Sequence, residues 1–219
     1  MVNPFATRVS DVRLAAVEAE LRRVAELTVV KTEHPRHATE LVRSACSGGC
    51  EAVIVFSGDG GYNEALNGLD ADVPIGFLPG GGTSVLPRAL GFPADPVASA
   101  RRLAASIELG RTRRISLGRV NGRRFAFNAG IGLDAAEADF ELGLDFVAPV
   151  HIRRRSLVRV ATALLTGHAR SGPVLYGHDL DRLEVVCDTP MPLQADGEDL
   201  GDVESAVFEA ERGAVSVLV

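Results

Sequence analysis

The stretch FSGDGGYNEALNG, residues 56–68, places four glycines, an aspartate and an Asn-Glu pair directly after the apolar run AVIVF. A buried strand that runs into Gly58-Asp59-Gly60-Gly61 and then a helix leaves unpaired backbone N–H groups around a concavity at the helix start. Such a nest binds phosphate through oriented amides and the positive end of the helix dipole. Glycine serves there because a Cβ would block close approach. Asp59 is the odd member. Beside phosphate it repels, unless it meets Mg²⁺ or takes a proton from an attacking hydroxyl, the two needs of phosphoryl transfer. Asn63 and Glu64, in the first helical turn, are placed to orient a nucleotide or a metal-bound water. The same residues also fit a tight strand-to-helix turn with Asp59 as N-cap. A second cluster, LPGGGTSVLPRALG (78–91), leaves the next apolar run. Two adjacent strand ends with glycine loops make a cleft at the carboxyl edge of a sheet, where α/β proteins bind nucleotides. Neither GxGxxG with a downstream acid nor GK[ST] occurs, so the loops are not those of a dinucleotide or Walker site.

Those loops need strands and helices to hold them. Residues 11–27 have Leu14, Val17, Leu21 and Val24 at helical spacing, and TVVKT (28–32) reads as a short strand. HATELVRSAC (37–46) predicts a second helix stopped by Gly48-Gly49. AVIVFS (52–57) and PIGFLP (74–79) are continuous apolar runs, as strands covered on both faces should be. Helices are predicted over 61–69, 83–91 and 95–110. This alternation implies a doubly wound parallel sheet over residues 1–112. From residue 113 to 219 the pattern is strand and turn, with an Asn121-Gly122 hairpin signal, and predicts an antiparallel, sandwich-like β domain. Within it IRRRSLVRVATALLTGHA (152–169) reads as a helix with a basic beginning.

Bulk properties narrow the function. A net charge of −6 over 219 residues argues against general nucleic-acid binding. Cys46, Cys50 and Cys187 give no even disulfide framework, and Cys46 and Cys50 lack a second pair to complete a zinc site. No metal-ligand cluster is expected. No run approaches the ~18 apolar residues of a membrane span and no leader is recognised, so a cytoplasmic, reduced protein is expected. Lys31 is the only lysine.

Taken together, these motifs resemble those of the diacylglycerol kinase catalytic-domain family, which includes sphingosine kinases and bacterial lipid kinases. Asn3-Pro4 is similar to the family's opening Asn-Pro, and Thr32 sits where the family has a nucleotide-contacting threonine. SGDGGYNEALNG resembles its first glycine signature, and Pro79 to Gly91 its second at equal spacing. FNAGIGLDA and LQADGEDLG resemble the later motifs. The resemblance implies an α/β nucleotide domain followed by a β-sandwich, with ATP bound in a cleft between them. It implies that Asn3, Pro4, Thr32, Ser57, Gly58, Asp59, Gly60, Gly61, Asn63, Glu64, Gly81, Gly82 and Thr83 line an ATP–Mg²⁺ site. Glu198 would be the base that takes the lipid hydroxyl's proton, with Asp196 or Asp59 as alternatives. Without the resemblance, Asp196-Gly197 reads as a hairpin turn.

The sequence also departs from that pattern. Gly61 replaces the usual threonine; in the second loop Gly82 replaces Thr, Ser84 replaces Asn and Val85 replaces Asp, with Thr83 one position along. Leu142 stands where the family has an aspartate that helps hold a structural Mg²⁺, so no metal is expected there. FNAGIGLDAA is joined within a few residues to FELGLDFV, where the family has several strands, which makes the β domain read as incomplete. The apolar run usual before Asn-Pro is missing too. The reading that follows is an ATP- and Mg²⁺-dependent lipid kinase, peripheral at a membrane surface through Arg153, Arg154, Arg155 and Arg159, with a homodimer possible. Rival readings are an NAD kinase-like enzyme and a truncated, non-catalytic nucleotide-binding protein.

Overall fold

The computed structural model describes residues 1–69, 73–132, 134–149 and 174–219. In chain order these form α1 (Asp11–Leu21), α2 (His37–Ser47), β1 (Val53–Ser57), α3 (Asp59–Gly68), β2 (Ile75–Pro79), α4 (Val85–Ala89) and α5 (Pro96–Glu108). There follow β3 (Thr112–Val120), β4 (Arg123–Phe125), β5 (Asn128–Ile131), β6 (Asp134–Ala138), β7 (Leu144–Pro149), β8 (Val174–Leu180), β9 (Arg182–Ala195) and β10 (Glu198–Leu218). The helix expected at 152–169, with its four arginines, lies outside the described residues. The chain divides into two units, Met1–Ile115 with Gly213–Val219, and Ser116–Arg212.

In the first unit β1 and β2 pair in parallel, from Val53 beside Ile75 to Ser57 beside Pro79. Both are buried almost throughout, which is why they read as unbroken apolar runs. Val217 pairs in parallel beside Ile75, so the last residues of the chain join this sheet. Ser106 Oγ donates to the Val219 carbonyl at 2.6 Å and secures that return. The sequence places residues 213–219 in the second domain; a parallel pairing of Val217 with Ile75, so far back in the chain, has no local signature. Ser10 caps α1 and Asp95 caps α5, with Pro96 at the first helical position. α1 packs with α5, and α2 with α3. The second pair is close: a Cβ on Gly68 would lie 2.3 Å from the Thr39 carbonyl oxygen.

Three elements are shorter than their periodicity predicts. α1 ends at Leu21, after which Arg22 donates its guanidinium to the Leu27 carbonyl and the chain turns back. Only five residues of 83–91 are helical, because Ser84 takes a left-handed backbone (φ 46°) before α4 begins. TVVKT forms no extended ladder. Val2 alone bridges Lys31 on one side and Phe56 on the other.

In the second unit the strands run β10-β9-β5-β6-β7-β8, with β3 and β4 forming a hairpin. Asn121 and Gly122 both have positive φ (47° and 84°), as the two-residue hairpin turn demands. Phe125, Ile131, Phe146, Leu193 and Phe208 form its core. The runs LEVVCD, SAVFEA and VSVLV read as separate strands in the sequence, whereas β9 and β10 are long and continuous. Gly201 and Gly213, at φ 85° and 55°, and register shifts near Asp199–Asp202 and Val203–Ser205 let β10 bend without ending. The short interval between FNAGIGLDAA and FELGLDFV is a hairpin: Ala138 pairs with Leu144, and Asp139 Oδ1 accepts the Glu141 and Leu142 N–H groups.

Arg119 and Arg124 converge on Glu211, with contacts of 2.7–2.9 Å from Arg124 and Arg119 Nε. Burial pushes the Glu211 carboxyl up, but the two guanidiniums outweigh it and hold it below its ordinary value. A depressed acid stabilises above its unfolded pKa and loses that contribution as pH falls through the folded one. Glu211→Ala is therefore expected to cost about 1–2 kcal/mol at pH 7, discounted for partial exposure. The difference from the parent chain should shrink below about pH 4. Urea unfolding at pH 7 and pH 3.5 measures this, and an equal loss at both would remove the charge from the account.

Candidate functional site

The two glycine loops meet backbone to backbone. Gly80 N–H donates to the Ser57 carbonyl at 2.7 Å, and a Cβ built on Gly80 would lie 2.7 Å from that same oxygen. A Cβ on Gly81 would come within 2.8 Å of Gly58 Cα. Asp59 closes the contact: its Oδ1 accepts the Val85 N–H at 2.7 Å, so the first loop's acid caps the helix that follows the second. Ser84 holds the second loop from inside, accepting from Gly81 N–H and donating to Gly81 carbonyl, both at 3.1 Å.

This geometry leaves donors unspent. Gly58, at the start of α3, offers no side-chain cap, and Tyr62 N–H, reaching back to Gly58 O, makes the first intrahelical bond. The Asp59, Gly60 and Gly61 N–H groups are thus those a helix cannot satisfy itself. A Cβ on Gly60 or Gly82 would meet nothing within 4 Å, so open space borders each loop. Ser57 Oγ is buried and has no hydrogen-bond partner among the described residues.

Other residues singled out in the sequence gather around this edge. Asn3 N–H donates to the Phe56 carbonyl at 3.0 Å, and Asn3 Oδ1 accepts the Phe5 N–H, shaping the turn through exposed Pro4. Thr32 is buried, with its N–H on the Val2 carbonyl at 2.9 Å. Asn3, Thr32 and Ser57 therefore stand on neighbouring chain segments. Thr83 is exposed. Asn63 is buried, and its side-chain and backbone oxygens accept from Asn67 Nδ2. Glu64 is placed differently from the nucleotide-orienting role expected of it. Its two carboxylate oxygens accept the Arg36 and Ala38 N–H groups at 3.0 and 3.2 Å, and cap α2. Arg36 there has φ 67°.

In the second unit Asp196 and Gly197, at φ 49° and 83°, make the hairpin turn between β9 and β10. The Asp196 carboxylate accepts three backbone N–H groups, of Ala126, Phe127 and Asn128, at 2.7–3.2 Å. Glu198, one residue past the turn, pairs with Arg123. Asp196 thus fastens the turn between β4 and β5 and sets the register from which Glu198 projects.

Several participants carry no signal in the sequence. Arg8 N–H donates to the Gly80 carbonyl at 2.8 Å, and its guanidinium reaches the Ala94 carbonyl. Tyr62 OH donates to the Leu78 carbonyl at 2.8 Å, and its burial raises the phenol's pKa. His34, His37 and Glu40 bring ligand-type atoms within 4.8 Å of one another. One nitrogen of each ring is engaged, His34 Nδ1 with the Pro35 carbonyl and His37 Nδ1 with the Glu33 N–H.

Residues 1–120 match the diacylglycerol kinase catalytic domain family. The chain is 36% identical over 98 residues to the diacylglycerol kinase of Bacillus subtilis, covering 43% of this chain and 31% of that protein. It is 30% identical over 104 residues to sphingosine kinase 1 of Arabidopsis thaliana, covering 44% of this chain and 21% of that one. The chain thus spans about a third or less of the length of the curated relatives it matches. A diacylglycerol kinase structure from Bacillus anthracis superposes with a TM-score of 0.80 at 16% identity, over 99% of this chain and 94% of the other. An NAD kinase from Archaeoglobus fulgidus in complex with ATP gives 0.57 at 14%, over 100% and 92%. At these identities the two structures establish the fold.

The departure at Gly61 has a steric cause. A Cβ there would lie 2.1 Å from Ser57 Oγ and 2.8 Å from Ser57 Cβ, so the two positions share one volume. Gly61→Thr alone is expected to cost about 1–3 kcal/mol by overpacking. Ser57→Gly with Gly61→Thr should recover more than half of that loss. A double-mutant cycle by thermal unfolding measures the coupling, and strictly additive losses would contradict the shared volume.

Proposed function

This chain belongs to the diacylglycerol kinase catalytic domain family, and from that premise we propose that it transfers the γ-phosphoryl group of ATP to the hydroxyl of diacylglycerol or a related lipid. The observation that carries this reading is the pair of glycine loops locked together beside an uncapped helix start. Three N–H donors, a buried Ser57 hydroxyl without a partner and two open glycine faces fit a ligand rich in acceptor oxygens. Asn3 and Thr32, on the neighbouring segments, complete the nucleotide side.

Asp59 is the residue that would hold Mg²⁺. One of its oxygens already accepts from Val85, which fixes the carboxylate's direction, while Glu64 has both oxygens spent on α2. A bound Mg²⁺ would supply positive charge to the phosphate oxygens. The protein's own part is positioning and electrostatics: amides of α3 and the second loop balance charge that develops on the transferred group. In the transfer the lipid oxygen bonds to the γ-phosphorus, the bond to the β–γ bridging oxygen breaks, and ADP leaves. Glu198 takes the hydroxyl proton and is oriented by Arg123, with Asp196 fixing the turn beneath it. No helix among the described residues is long and apolar enough to cross a membrane. The lipid acceptor instead brings the protein to the membrane surface, with the arginines at 153–159 as the proposed docking charge.

Radiolabelled ATP with Mg²⁺ and mixed micelles of diacylglycerol, sphingosine or ceramide tests the reaction, with NAD as a soluble acceptor in a parallel arm. Labelled lipid supports the reading, and labelled NAD with unlabelled lipid overturns it. Asp59→Asn should lower kcat/KM more than tenfold, about 1.4 kcal/mol or more, with unchanged thermal unfolding. A smaller loss would take Asp59 out of the mechanism. Glu198→Gln should lower kcat at least a hundredfold while ATP affinity, read by equilibrium binding, changes less than threefold. If affinity falls in step with kcat, Glu198 acts on the nucleotide and is not the base.

A further inference from the structure

Beneath the second glycine loop lies a buried phenol with no part in the chemistry proposed above. Tyr62 stands in the first turn of α3, directly after Gly60 and Gly61, and is 1% exposed. Its ring meets the Phe77 ring edge-on, with centroids 5.3 Å apart. A phenyl group alone would give that packing. The hydroxyl therefore calls for its own account, because a buried O–H without partners costs free energy. Its partners all belong to one segment. It donates to the Leu78 carbonyl at 2.8 Å, and Ser84 and the Gly80 N–H lie close to its oxygen. These residues form the root and the turn of the second loop.

That loop needs holding from outside. Ser84 sits in the left-handed region (φ 46°, ψ 61°), where any residue other than glycine is locally disfavoured. Its hydroxyl closes the turn on Gly81, through both the N–H and the carbonyl. The polar side chains that the family resemblance expects are absent, since Gly82, Ser84 and Val85 stand in place of Thr, Asn and Asp. Two flexible glycines and a strained serine do not set the loop's height above β2. What sets it comes from α3. Asp59 Oδ1 accepts the Val85 N–H at one side of the loop, and Tyr62 holds Leu78 and Ser84 at the other. Burial raises the phenol's pKa, with Ser84 and the Gly80 N–H opposing it only in part, so Tyr62 stays a donor at any working pH.

We propose that Tyr62 is a positioning residue of the phosphate site: through Leu78 and Ser84 its hydroxyl keeps the loop's exposed face, Gly82 and Thr83, in register with the α3 amides. This rests on the reading that the two glycine loops grip phosphate. Tyr62 lies under the loop and touches no ligand itself. The grip on phosphate therefore depends on its hydroxyl, and the transfer step does not. A net hydrogen bond is worth up to about tenfold in an equilibrium, which sets the scale of the effect.

Tyr62→Phe keeps the ring and removes the hydroxyl, and Ser84→Ala removes its neighbour. Val17→Ala, in the buried face of α1, loosens the fold elsewhere and serves as the comparison. Three readouts separate the roles: equilibrium binding of ATP and of tripolyphosphate with Mg²⁺, kcat and KM with diacylglycerol micelles, and amide hydrogen exchange over residues 80–85. Tyr62→Phe is expected to raise both Kd values and the KM for ATP about fivefold or more, with kcat within about twofold. Exchange over 80–85 should quicken by a like factor while β1 keeps its rate. The losses from Tyr62→Phe and Ser84→Ala should not multiply in the double variant, because they act on one link. Val17→Ala should lower Tm as much or more and leave binding and loop exchange unchanged. A smaller rise in Kd, a matching fall in kcat, an effect on ATP without one on tripolyphosphate, or an equal effect of Val17→Ala would each overturn the positioning role. If the parent chain binds neither ligand, the phosphate reading itself fails. Faster exchange in Tyr62→Phe would then still support its hold on the loop, and unchanged exchange would overturn it.

Discussion

The contact between Gly58 and Gly81 is the constraint on which the rest of the first unit depends. Two chain segments cross there at backbone distance, and a single added Cβ at 81 would sit 2.8 Å from the facing Cα. A displacement of either loop would also break the Gly80 bond to Ser57 and the Val85 bond to Asp59. The glycines thus do two separate jobs. Gly58, Gly80 and Gly81 bring backbone against backbone, whereas Gly60 and Gly82 leave the outer faces clear. A phosphate nest needs both, because amides converge only if the loops touch and receive an anion only if nothing overhangs them.

The acids around the two motifs sort themselves by how many of their oxygens are already engaged. Glu64 spends both on the amides that begin α2, and Asp196 accepts three amides beside β5. Carboxylates so engaged hold structure. Asp59 has one oxygen committed to Val85, and Glu198 has a single arginine partner and a partly exposed side chain. These two keep capacity for chemistry. The expectation that Asn63 and Glu64 face a nucleotide follows from position in the first helical turn; Glu64 instead turns toward α2, where Arg36 and Ala38 present amides that the helix start leaves without an intrahelical partner.

Much of this was legible in the chain. Strand runs AVIVFS and PIGFLP, the loops between strand and helix, and Asn121-Gly122 are local patterns, and local chemistry decides them. Other features were not. Arg8 on Gly80, Tyr62 on Leu78 and Val217 beside Ile75 join residues far apart in sequence, and no window contains both partners. The continuity of β9 and β10 across the turn-like stretches between LEVVCD, SAVFEA and VSVLV is not local either; bulges and positive-φ glycines let the ladder continue. Gly61 read as a lost threonine, yet it is the complement of Ser57, whose hydroxyl already fills the space.

The two ends of β1 are mechanically linked through residues 1–3. Asn3 stands beside the end of β1 because its N–H holds Phe56 O, and that bond is one rung of a ladder whose lower rungs are Met1 with Phe56 and Ile54. A ladder of three residues resists shear weakly, since each rung nets only about 0.5–1.5 kcal/mol. The position of Asn3 therefore depends on rungs at Phe56 and Ile54, before the glycine loop begins.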